Sequence, residues 1–281
     1  MVTTANYSIN ISGQLFDLST PRIMGILNVS PDSFFDGGRY TLPDLAWMQA
    51  EKMLADGADI IDVGGMSTRP NAVEITVEEE RKRVMPVVEL LIKKNSGIKI
   101  SVDTYRSSVA KAAVEAGVCM VNDVSGGELD KSMFETVAKL KVPYVLMHMR
   151  GTPQNMQQQT SYKDIFTEMA LYFSEKKNTL IKLGVNDVII DPGFGFAKNL
   201  DDNYRLLKNL SYFQMLESPV LCGVSRKSMI YKFLNTEPND ALNGTSVLNT
   251  IALMNGASLL RVHDVKEAKE AVLLVEKLRN S

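Results

Sequence analysis

Eight short, mostly apolar runs recur along the chain with longer segments of helical periodicity between them, and this alternation restricts the fold more than any other feature. The runs cover residues 23–27, 59–63, 98–102, 118–121, 144–147, 188–190, 220–224 and 258–262. Runs that are apolar on both faces suit parallel strands covered by helices on one side and by a barrel core on the other. The intervening segments carry helix signals. Residues 45–55 are amphipathic and stop at Gly57, and Thr76-Val-Glu-Glu79 has the form of a capping box opening a helix toward Leu91. Residues 106–116 and 165–183 end at Gly117 and Gly184, glycines placed to adopt the left-handed conformation that terminates a helix, and residues 265–278 close the chain. Pro86 is expected to kink or restart its helix.

Eight strands, seven of them followed by a helical segment, predict a single (β/α)8 barrel across residues 1–281. Residues 7–18 precede the first barrel strand and centre on Ser12-Gly13, which predicts an N-terminal β-hairpin at the bottom of the barrel. An open doubly wound sheet would bring a glycine-rich nucleotide fingerprint after its first strand, and none is present.

Composition narrows the function classes. A formal charge of -2 argues against general affinity for nucleic acid or anionic membrane. No apolar run approaches the roughly 20 residues that span a bilayer. The N-terminus has no signal-peptide pattern, so the expected location is cytoplasmic. Cys119 and Cys222 lie in apolar settings without metal-ligand spacing and read as reduced core thiols.

Barrels of this type place their chemistry at the C-terminal ends of the strands. Here those ends carry Asn28, Asp62, Asp103, Asn122 with Asp123, His148, Asp191, the run Ser225–Ser228, and Arg261 with His263. Carboxylate and amide groups at Asp103, Asn122 and Asp191 suit a flat heterocycle rich in N–H donors, although Asp103 before Thr104 is also placed to cap a helix. The cations Arg69, Lys227, Arg261 and His263 suit a phosphate-bearing substrate. Taken singly, Arg226 and Lys227 also fit solvated surface positions. Two long loops, 28–40 and 64–76, contain glycine pairs and are placed to act as lids.

The strings Met24-Gly-Ile-Leu-Asn-Val-Ser-Pro-Asp-Ser-Phe34, Asp36-Gly-Gly38, Ser67-Thr-Arg-Pro70, Ser101-Val-Asp-Thr-Tyr-Arg106, Asp191-Pro-Gly-Phe-Gly-Phe196, Gly223-Val-Ser-Arg-Lys-Ser228 and Arg261-Val-His-Asp264 occur in that order. The set resembles the dihydropteroate synthase family from about Ile23 to the last helix. That resemblance implies an enzyme joining 6-hydroxymethyl-7,8-dihydropterin pyrophosphate to 4-aminobenzoate, with Mg2+ as cofactor, sulfonamides as competitive inhibitors and a homodimer as the assembly. It implies that Asp103, Asn122, Asp191 and Lys227 hold the pterin beside Met147. Asn28, Arg261 and His263 would hold pyrophosphate, with Asn28 near the metal. Phe34, Thr68, Pro70, Phe196, Lys227 and Ser228 would form the aminobenzoate site, and Asp36 and Arg69 belong to the closing loops. Met66, Asn71, Phe35 and Ala197 depart from the commonest family pattern, which bears on loop behaviour and sulfonamide affinity. Rival readings are a corrinoid-linked pterin methyltransferase domain, a non-catalytic pterin-binding protein and a phosphate-handling aldolase barrel.

Overall fold

The computed structural model describes residues 7–30, 41–67 and 74–281. A hairpin of β1 (Ser8–Ile11) and β2 (Gln14–Asp17) comes first. Its two-residue turn places Ser12 at φ 52° and Gly13 at φ 83°, the doubly positive geometry that matches the twist of a tight hairpin. Eight parallel strands follow: β3 (Arg22–Asn28), β4 (Ile60–Gly64), β5 (Ile100–Asp103), β6 (Met120–Asp123), β7 (Tyr144–Met147), β8 (Val188–Asp191), β9 (Leu221–Cys222) and β10 (Leu259–Val262). The sheet order is β8-β7-β6-β5-β4-β3-β10-β9, and a parallel bridge between Ile190 and Val220 brings its two edges together. The expected (β/α)8 barrel with its N-terminal hairpin is therefore the observed fold.

Two apolar layers hold it. The outer one lies between strands and helices; Val63, Val102, Phe173 and Val262 are among its members. The inner one fills the barrel with Met24, Ile60, Met120, Val145, Ile189, Leu221 and Leu259. Ile9, Ile11 and Leu18 belong to that same inner cluster, so the hairpin stoppers the barrel's lower end.

The helices are α1 (Leu42–Ala55), α2 (Val77–Lys94), α3 (Ser107–Glu115), α4 (Met133–Leu140), α5 (Ile165–Lys182), α6 (Leu200–Lys208), α7 (Ser228–Tyr231), α8 (Leu242–Met254) and α9 (Val265–Arg279). Thr76 caps α2 as its sequence motif predicts, its hydroxyl accepting from the Glu79 N–H at 3.1 Å. Pro86 does not restart that helix, which runs from Val77 to Lys94. Proline deprives only the Lys82 carbonyl of its partner, and both residues lie on the exposed face where water replaces the bond.

Several strands end later than the apolar runs predict. Asp103, Asn122, Asp123 and Asp191 are strand residues rather than loop residues. The seventh barrel strand is shorter than expected, two residues instead of five. Among the described residues no helix is long and apolar enough to cross a membrane.

The hairpin's contribution is measurable. Ile9 is 2% exposed and Leu15 is 82% exposed. Ile9→Ala should cost about 2–4 kcal/mol in urea unfolding, against a few tenths for Leu15→Ala; equal effects would mean that the hairpin does not pack in the barrel.

Candidate active site

Strand register builds the site. Asn28 pairs with Gly64, Gly64 with Asp103, and Asp103 with Asn122, so one row of partners crosses four neighbouring strands. Farther round, Met147 pairs with Asp191. All of these positions are at or next to the upper ends of their strands. Gly64 leaves a gap in the row: a Cβ there would lie 3.6 Å from Asp103 Oδ2 and 3.7 Å from Asn28 Oδ1.

A charged network ties this row to the last strand. Arg261 donates from Nε to Asp62 Oδ2 at 2.7 Å and from Nη2 to Asp103 Oδ2 at 2.5 Å. Asn122 Nδ2 donates to the same Asp62 oxygen at 2.9 Å. Asp62 is wholly buried, so its carboxylate fixes which way the Asn122 amide faces: the nitrogen is engaged, and the carbonyl oxygen remains as an acceptor for a ligand N–H.

Burial sets the electrostatics of the carboxylates. It raises the Asp103 pKa to about 7 against the opposing pull of Arg261, with Asp62, Glu80 and Asp123 adding to the rise. Asp191 is also raised by burial, opposed first by Lys227. Burial draws Lys227 down to about 8, although Asp191 resists. Burial works against the charge of Arg261 too, but Asp62 and Asp103 together push its pKa above the ordinary value. The pore thus holds a firmly cationic guanidinium beside a carboxylate and an amine drawn toward neutrality.

The β8 loop forms the adjoining wall. Asp191 Oδ1 accepts from the Gly193 N–H at 2.7 Å, so this carboxylate shapes its own loop while it faces Lys227. Gly193 has φ 69°, and a Cβ there would come within 2.3 Å of the His148 carbonyl, so only glycine permits this approach of the β7 and β8 loops. Lys227 Nζ donates to the Phe194 carbonyl and lies 4.7 Å from the centre of the Phe196 ring. Phe196 packs against a small cluster containing Met147, Met149, Met156 and Tyr105.

The structure brings Asn28, Asp103, Asn122, Met147, Asp191, Phe196, Lys227 and Arg261 to one end of the barrel. Ser228 opens α7 directly after Lys227, and His263 follows β10. Phe34, Asp36, Thr68, Arg69 and Pro70 lie outside the described residues. Asp103 is no helix cap: Arg106 holds the cap position of α3 without a side-chain bond, while Asp130 Oδ2 accepts from the Ser107 N–H at 2.7 Å. Asp123 is structural, its carboxylate accepting from Ser125, Gly127 and the Tyr144 hydroxyl.

A model of the pterin binding enzyme family matches residues 24–263. The dihydropteroate synthase of Escherichia coli K12 is 44% identical over 266 residues, 94% of each chain. This chain belongs to the dihydropteroate synthase family. Within that family, the Yersinia pestis dihydropteroate synthase structure with a sulfonamide drug superposes with a TM-score of 0.92 at 42% identity, covering 98% of this chain and 100% of that one. The Xanthomonas albilineans enzyme with 4-aminobenzoic acid gives a TM-score of 0.92 at 38% identity, covering 99% and 100%.

Two features of this family member escape sequence reasoning. Asp62 reads as one strand end among eight, yet it joins Arg261 to Asn122; the signal was a carboxylate in the otherwise apolar run Ile60-Ile-Asp-Val63. Lys198, 3% exposed, donates to the Phe196 carbonyl at 2.8 Å and approaches His148 Nδ1 at 3.1 Å. Burial lowers the Lys198 pKa to about 7 and holds His148 far below its usual value.

Lys198 therefore gives a signed pH effect. Between about pH 7 and 10 the unfolded chain keeps a proton on this amine that the folded chain has lost, so its contribution to stability rises with pH. Wild type should gain on Lys198→Met by up to about 1.4 kcal/mol per pH unit in that window. A constant difference between their urea midpoints at about pH 7 and about pH 9 would refute it.

Proposed function

We propose that this chain joins 6-hydroxymethyl-7,8-dihydropterin pyrophosphate to 4-aminobenzoate, giving 7,8-dihydropteroate and pyrophosphate. The observation that carries the reading is the floor of the pore, where acceptors at Asp103, Asn122 and Asp191 stand beside the cations Arg261 and Lys227. In this reading those three acceptors take the N–H donors of the pterin, Lys227 donates to its acceptor edge, and Met147 packs near the ring. Arg261, His263 and Asn28 receive the pyrophosphate.

The C–O bond from the exocyclic methylene to pyrophosphate breaks, and its electron pair leaves on oxygen. The 4-aminobenzoate nitrogen then attacks the methylene carbon and loses a proton. Arg261 opposes the charge developing on the leaving group, and nearby carboxylates stabilise the electron-poor ring. Phe196, Lys227 and Ser228 would shape the aminobenzoate site with Phe34, Thr68 and Pro70. Asp36 and Arg69 would act from the two loops that keep competing water out.

The donor set also fits Mg2+. Asn28 Oδ1 is a hard oxygen beside the gap at Gly64, whereas Asp103 Oδ2 across that gap is held by Arg261. Among the described residues there is no cluster of three or more His, Cys, Asp or Glu side chains able to cage a metal. Magnesium is commonly held by one or two protein oxygens, water and substrate phosphate, so the Asn28 oxygen suits an ion that arrives with pyrophosphate. Asn28 would supply a ligand, and the ion would neutralise leaving-group charge.

A homodimer is supported by the outer faces of α8 and α9, where Val247, Ile251, Leu273, Leu274 and Leu278 are exposed. A cytoplasmic setting agrees with two buried, unpaired cysteines.

Pure protein given both substrates and Mg2+ should release pyrophosphate and form dihydropteroate; no product would defeat the assignment. By calorimetry, Asp191→Asn should weaken pterin binding about tenfold, and Arg261→Ala should mainly weaken pyrophosphate binding. Unchanged affinities in both variants would remove these roles. Sulfonamides should raise the apparent KM for 4-aminobenzoate without changing kcat, because the 68–70 segment carries no obvious insertion. Purely noncompetitive kinetics would contradict a shared site.

A further inference from the structure

We propose that the Arg226–Asp264 ion pair is a clasp that positions Lys227 and His263 relative to one another. The need for it comes from the sheet. β9 pairs with β10 only at Leu221 and Cys222, whereas β10 continues to Val262, so no strand pairing holds the Ser225–Lys227 segment in place. Side chains supply the missing connections. Arg226 donates from Nε to Asp264 Oδ2 at 2.9 Å and from Nη2 to Asp264 Oδ1 at 2.6 Å, a two-pronged match of guanidinium to carboxylate. Next to it, the Ser225 hydroxyl accepts from the His263 N–H at 3.2 Å and lies 3.0 Å from His263 Nδ1.

The backbone supports the same conclusion. Arg226 has φ 53°, an unfavourable region for a side chain of this size. That turn is pinned where the Arg226 N–H donates to the buried Thr245 hydroxyl at 3.1 Å and the Lys227 N–H to the Val224 carbonyl at 3.2 Å. Arg226, His263 and Asp264 together border a cleft of about 590 Å3 between α1 and the start of α9. Arg226 is thus a positioning residue: it adjoins Lys227 in the chain, is bonded to the neighbour of His263, and acts by fixing the spacing of the two. A displacement of about 1 Å at such positions is enough to change rates substantially.

The inference rests on the proposed assignment of His263 to pyrophosphate and Lys227 to the pterin and aminobenzoate, and the experiment separates the two. Calorimetry with inorganic pyrophosphate and Mg2+, and KM for 4-aminobenzoate, would be measured for Arg226→Gly, Arg226→Lys, His263→Ala and Lys227→Ala. Glycine removes the clasp and relieves the turn, so Arg226→Gly should keep its urea midpoint while pyrophosphate affinity and KM both worsen about tenfold. Arg226→Lys, which keeps the charge without the two prongs, should show a smaller loss of both and carries the comparison if glycine lowers stability. His263→Ala should affect pyrophosphate alone. Wild-type values for both ligands in both Arg226 variants, or worsening of only one ligand, would overturn the clasp. Unchanged binding in His263→Ala and Lys227→Ala would instead overturn the site assignment beneath it.

Discussion

The upper half of the barrel depends on the contact of Arg261 with Asp62 and Asp103. Withdrawing three charges from water costs more than their attraction reliably returns, and an apolar core of equal volume would often be as stable. Breaking such a contact is costly, however, because each remaining charge stays buried and unpaired. The network therefore makes sense through what it prepares. It keeps a guanidinium inside the pore and orients the Asn122 amide. It also leaves Asp103 in surroundings where burial outweighs its pairing with Arg261 and draws the carboxyl toward the neutral form.

That preparation requires a rigid support. The inner apolar layer gives the strands a packed core below the network, and register places Asn28, Gly64, Asp103 and Asn122 side by side without help from loops. The weak part of the ring is β9, where pairing is shortest. Side-chain bonds from Ser225 and Arg226 are concentrated there, so polar contacts replace a backbone ladder at the point where it stops.

Much of this was legible in the residues, for identifiable reasons. Buried parallel strands leave an uninterrupted apolar signature, and the hairpin announced itself through Ser12-Gly13. Strand ends were harder because Asp103 and Asp191 look like loop residues until their burial beside cations is known. Asp62 stayed obscure because its importance lies in partners 60 and 199 residues away. α8 carried no clear helical stripe: it buries Thr245 and Asn249 while exposing Val247 and Ile251, so polarity does not follow burial. Pro86 misled because the cost of proline depends on whether the freed carbonyl meets water. The roles of Lys198 and Arg226 arise from carbonyls and carboxylates that only the folded chain brings near.

The plugged lower end has a kinetic corollary. With Ile9, Ile11 and Leu18 packed into the apolar layer there, the described residues leave no way in from below, and traffic to the network uses the opposite end. Whatever occupies the innermost position must arrive before its neighbour nearer the rim and cannot depart while that neighbour remains. In such a cul-de-sac the sequence of arrivals follows from depth alone.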